Sequence, residues 1–267
     1  MKKLIICLSV LLFSVTSCKK NKQDTQTGGC QKITSIDTYK YPVLPGTDEW
    51  KQLASQSEKI AVCQLPAGVL QTISTKGLLS SILDHPLFLT FSAWDKMQDG
   101  FIYLKSQVNS LPVFFGRPGA LNEVLGFYSK MLPSCPNGTY PPYNPNSTSP
   151  TLTYFSIWGV ETLLYQDEFL GNISSDSSII VFKTVYKKNK LKNETNGNLY
   201  LGDDRAIGAA IMGKLMLRDT SFTAFADYCM QDAYVNTLIY KLNLNPNYSS
   251  EAIHNIEMYA EQYYLLH

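Results

Sequence analysis

Residues 94–108 read WDKMQDGFIYLKSQV, and the spacing inside this stretch decides the fold. Trp94, Met97, Phe101, Leu104 and Val108 recur at intervals of three and four. At about 3.6 residues per turn, that period gathers five apolar side chains on one face of a single helix. The same period runs outward in both directions. Toward the N-terminus, Thr47 stands before Asp48 and Glu49 as a helix cap, and Trp50, Leu53 and Ala54 open a stripe. Pro66 suits the first turn of a helix carrying Val69, Leu70 and Ile73. Ser74 or Thr75 caps one carrying Leu78, Leu79, Ile82 and Leu83, which His85-Pro86 ends.

Toward the C-terminus, Pro112 and Pro118 start two segments, the second with Leu121, Val124, Leu125, Tyr128 and Met131. Residues 151–170 are apolar nearly all round, as a buried central helix requires. Ser174 or Ser175 starts a helix with Ile179, Phe182 and Tyr186 in register. Between Asp203 and Leu217, Ala206, Gly208, Ala209, Ala210 and Gly213 alternate with large apolar residues, a pattern suited to close helix packing. Thr220 or Ser221 caps a helix that buries Phe222, Phe225, Ala226, Cys229, Met230 and Ala233. Ser249 or Ser250 caps the last, with Ile253, Ile256, Ala260 and Tyr263. No strand-like alternation is sustained anywhere. The sequence predicts an all-α protein of about ten helices, in one compact bundle or two lobes, with a helical solenoid as the alternative.

The first residues have a different character. Met1-Lys2-Lys3 precedes a twelve-residue apolar run, Leu4–Val15, too short to span a bilayer, for which about 20 residues are needed. It fits the core of an export signal. Val15-Thr16-Ser17-Cys18 resembles a bacterial lipobox, so residues 1–17 are expected to be removed and Cys18 to carry acyl chains. Two or more chains anchor a protein stably. Residues 18–40 read as a polar tether, 41–132 as an N-terminal helical lobe, 133–150 as a proline-rich loop with six prolines, and 151–267 as a C-terminal helical lobe. Lys19, Lys20 and Lys22 follow the anchor, which favours an outer-membrane protein facing the periplasm over one at the cell surface.

Without residues 1–17 the chain holds 21 bases against 22 acids. That balance gives no basic surface for nucleic acid. The one basic run, Lys187-Lys188-Asn189-Lys190-Leu191-Lys192, is expected at a solvated helix end. Six cysteines reduce to Cys30, Cys63, Cys135 and Cys229 once Cys7 is discarded and Cys18 acylated. Cys30 and Cys135, both exposed by position, are the favoured disulfide pair in an oxidising compartment. Cys229, on an apolar stripe, reads as a buried thiol.

Tyr41–Trp50 (YPVLPGTDEW), Val62–Pro66 (VCQLP), Pro86–Phe88 (PLF) and Gln98–Phe101 (QDGF) together resemble a family of uncharacterised exported α-helical lipoproteins of Bacteroidetes-type bacteria. The resemblance implies export and a helical fold, and transfers no activity.

Chemistry leaves no comparable signature. HExxH, GxSxG and phosphate-cradling glycine motifs are absent from the sequence, and His85, His254 and His267 share no metal-ligand spacing. No catalytic, cofactor-binding or metal-binding residue is assigned. His85, beside Asp84, and Gln98-Asp99 have structural readings. Asp167-Glu168 and Asp203-Asp204 are adjacent, and adjacent helical residues do not face each other. The expected role is that of a lipid-anchored envelope protein that binds another envelope protein or is structural. The alternatives are a carbohydrate- or small-ligand-binding module, for which Tyr140 and Tyr143 are candidates, and a hydrolase with a carboxylate cleft between lobes.

Overall fold

The computed structural model describes residues 30, 35–135, 140, 153–196, 202–244 and 249–267. The expected signal 1–17, Cys18, Lys19, Lys20, Lys22 and Tyr143 lie outside these residues. The fold is all-α: α1 (Asp48–Gln52), α2 (Gln56–Val62), α3 (Ala67–Thr72), α4 (Thr75–Leu83), α5 (Met97–Gln107), α6 (Ser110–Phe115), α7 (Ala120–Lys130), α8 (Thr153–Leu164), α9 (Asp167–Leu170), α10 (Ser175–Asn196), α11 (Ala206–Arg218), α12 (Thr223–Gln231), α13 (Ala233–Lys241) and α14 (Ser249–Leu266). Short 3-10 turns occupy Phe88–Ala93 and Gly202–Arg205. Among the described residues no helix is long and apolar enough to cross a membrane.

Side-chain caps explain why several expected helices are divided. Ser55 accepts the Glu58 N–H and starts α2, so the stripe opened by Trp50 stops at Gln52. Asp232 accepts the Tyr234 and Val235 N–H groups and starts α13, and it leaves Met230, expected on a buried face, 77% exposed. Gln166 folds its side chain back onto the Thr162 carbonyl, separating α8 from α9. Ser221 is engaged by Asp219 rather than capping α12, whose N-cap is Phe222. Trp94 sits outside α5, ends the first 3-10 turn and is 46% exposed.

Helix α11 lies at the centre of the second half, against α8, α10, α12, α13 and α14. A methyl group at Gly208 would stand 2.2 Å from Asn189 Oδ1, so glycine there sets the approach of α10. In the first half α4 packs on α6 and α7, and α8 joins α4, α7 and α11. One buried cluster runs from Tyr41 to Tyr263 and includes residues on both sides of the proline-rich segment.

The tether expected through residue 40 is fastened earlier. Asp37 accepts from the Ser74 N–H at 2.7 Å and the Ser74 hydroxyl at 3.1 Å, and the Tyr39 N–H donates to Ser81 Oγ at 2.8 Å. Polar composition suggested a solvated segment, yet its polar atoms find partners on α4.

Candidate functional site

Two polar clusters stand out, one buried and one open. The buried cluster begins with the lysine run, which is not a solvated helix end. It lies inside α10, with the Lys188 and Lys192 side chains turned inward. Lys192 Nζ meets Glu161 Oε1 and Oε2 at 2.7 and 2.8 Å and the Asp204 carbonyl at 2.6 Å. An ammonium has three protons, so every donor is spent within the protein. Tyr128 donates to Glu161 Oε1 at 2.6 Å. Burial first, and Glu161 second, hold its phenol well above the usual range. Lys188 donates to the carbonyls of Ser129 and Met131, which end α7, and its ammonium lies 5.3 Å from the Tyr128 ring centre. Burial pulls the Lys188 ammonium down to about 8. The arrangement ties α7, α8, α10 and the Gly202–Arg205 turn into one unit.

The open cluster is a pocket of about 280 Å³ between the start of α10, the end of α11 and the end of α14. Ile173, Ile179 and Leu215 supply apolar wall. Asp219 organises the polar side. Its Oδ1 accepts from the Ser221 N–H and hydroxyl, at 2.9 and 2.6 Å. Its Oδ2 accepts from Tyr263 at 3.0 Å and lies 3.3 Å from His267 Nε2. The Ser221 hydroxyl first, with the other donors, holds the Asp219 carboxyl below the usual range. Burial, then the Asp219 bond, pushes the Tyr263 phenol up to about 12. Arg218 donates to the Leu170 carbonyl and makes no ion pair among the described residues. Ser175, Ser178 and Thr220 line the pocket. The chemistry on offer is hydrogen bonding beside an apolar wall.

The residues singled out from sequence fall mostly elsewhere. Cys30 and Cys135 are joined in a disulfide across 105 positions, with Cα atoms 5.4 Å apart. Cys135 is buried, against the expected exposure, because Tyr140 OH contacts its Sγ at 3.1 Å and accepts the Leu132 N–H at 2.7 Å. Tyr140 is itself buried, so it offers no stacking surface. His85 is buried, its Nδ1 accepts the Leu87 N–H at 3.1 Å, and its ring stands edge-on to Tyr41. Its Nε2 makes no hydrogen bond among the described residues, and burial lowers its pKa to about 4. Gln98 pairs with Gln166, and Asp99 lies 3.8 Å from Lys241. Asp167 and Glu168 take different lysines, Lys214 and Lys105. Among the described residues no group of three or more His, Cys, Asp and Glu could hold a metal ion.

Sequence reasoning missed both clusters. Glu161 stands alone in an apolar helix, which was a usable signal, but its partner is 31 positions away. Compared with known protein families, curated proteins and solved structures, the chain matches none.

Proposed function

We propose that the chain is a lipid-anchored protein of the bacterial cell envelope, held at the outer membrane through Cys18 and facing the periplasm, whose helical body binds another envelope protein. The observation that carries the reading is the Cys30–Cys135 disulfide. Such bonds persist in oxidising compartments, which is where the export signal 1–17 and the lipobox at Val15–Cys18 would deliver the chain. The buried Glu161–Lys192 pair is spent within the fold, its groups bonded to each other and to the backbone. Crosslinking in intact cells, followed by mass spectrometry, tests the reading. A recurrent envelope protein joined to this chain supports it. Turnover of an envelope substrate by the purified mature protein, with no protein neighbour, overturns it.

A second reading has its own observation, the pocket at Asp219, Tyr263 and His267. Its volume is just under the usual range for small-molecule sites, about 300–1,000 Å³, and its polar and apolar walls suit a sugar or another small polar ligand. A ligand that binds only the folded state raises the melting temperature, so a thermal-shift screen against glycans decides. A shift that survives His267→Ala and Tyr263→Phe would place binding elsewhere.

A further inference from the structure

We propose that Trp94 and Tyr103, at the start of α5, form a binding platform for a neutral pyranose glycan. This site depends on neither the Cys18 anchor nor the Asp219 pocket, with which it shares no residue. Trp94 directly follows the first 3-10 turn. Its ring centre lies 5.6 Å from that of Tyr103 on α5, with 32° between the planes. A methyl group at Gly100 would stand 2.7 Å from both Cγ and Cδ1 of Trp94. The missing side chain therefore lets the indole rest on the α5 backbone, which holds the ring in place before any ligand arrives. Trp94 nevertheless stays 46% exposed and Tyr103 44%. The two rings touch each other, and each keeps close to half of its surface open.

Polar groups that the fold leaves unspent border the rings. The Trp94 indole N–H and the Tyr103 hydroxyl have no hydrogen-bond partner among the described residues. Asp99 stands one turn before Tyr103, so the two share a face of α5. The Met97 N–H donates to the Leu242 carbonyl at 3.3 Å and sets the end of α13 beside the start of α5. Lys241 Nζ thereby lies 3.8 Å from Asp99 Oδ1, too far for a hydrogen bond, and both side chains stay open to solvent. An apolar partner would strip water from the indole N–H, the hydroxyl and both charges without replacing it. A quaternary ammonium ion would meet the Lys241 charge. A pyranose suits all of these groups. The C–H groups on its flat side are slightly positive and lie on the negative faces of aromatic rings. Its rim of hydroxyls can accept from the indole and the ammonium and donate to the carboxylate. Asp99 and Lys241 cancel in charge, as do their exposed neighbours Asp95 and Lys96, so the matching glycan is neutral.

The test is calorimetric titration of the full chain, in a neutral detergent, with neutral oligosaccharides of glucose, mannose, galactose and xylose. At least one is expected to bind. Trp94→Ala should weaken that binding about tenfold, as the loss of a stacked ring requires, and Tyr103→Ala about fivefold. Trp94→Phe, which keeps a ring, should retain most of the affinity. All three changes fall on exposed side chains, so far-UV circular dichroism should match the parent. Binding that survives Trp94→Ala but is lost with His267→Ala would overturn the platform and favour the Asp219 pocket. Failure of all four sugars to bind, or binding of choline in their place, would overturn the platform and leave the envelope reading standing.

Discussion

The Glu161 carboxylate and the Lys192 ammonium are each at most 1% exposed, so the cost of desolvating them is offset only while both are present. Glu161→Gln should destabilise the fold by about 3–5 kcal/mol, because Lys192 would keep a buried charge without its counter-ion. Chemical denaturation measures this, and the double variant Glu161→Leu with Lys192→Met should recover most of the loss. A single variant within about 1 kcal/mol of wild type would show that water reaches the pair. His85 makes a prediction with a sign. Burial lowers its pKa to about 4 from 6.5, so between these values the unfolded chain binds more protons than the folded one. Stability should be complete above pH 6.5 and fall as the pH drops toward 4, by up to about 3 kcal/mol. His85→Gln should flatten that part of the curve.

Two helical glycines separate propensity from packing. In α7, Gly126 is exposed, and an added methyl group would meet nothing within 4 Å. Gly126→Ala should stabilise by about 0.5–1 kcal/mol. In α11, the same change at Gly208 meets Asn189 Oδ1 at 2.2 Å. Gly208→Ala should cost about 1–3 kcal/mol through displaced packing, read as a lower denaturation midpoint. The small-residue pattern of α11 was legible in the sequence, as were the caps at Thr47 and Ser74, because those signals are local. The breaks at Gln166 and Asp232 were not, since each interrupts an apolar pattern that resumes beyond it, whereas Ser55, three positions before Glu58 in a polar stretch, carried a local capping signal. The lysine run was misread for another reason. Nothing within residues 187–192 announces Glu161 or the α7 carbonyls, and only the folded chain brings them together. The pocket was equally invisible, being assembled from three helix ends.

For the molecule as a whole, the sequence supplied the helical class, and the structure added one buried cluster shared by both halves and a covalent link from residue 30 to residue 135. Closing a loop of that length restricts the unfolded chain, so Cys135→Ser should cost about 4–5 kcal/mol if chain entropy governs. Comparing denaturation midpoints of the oxidised protein and the variant gives the value. The proposed function depends on this helical body being moored to a bilayer at Cys18. The most direct measurement is the intact mass of the mature N-terminal peptide purified from the membrane fraction. Mooring at Cys18 predicts a peptide that starts at residue 18 and carries the added mass of acyl chains on Cys18. A peptide that retains residues 1–17, or one with an unmodified Cys18 thiol, would contradict it.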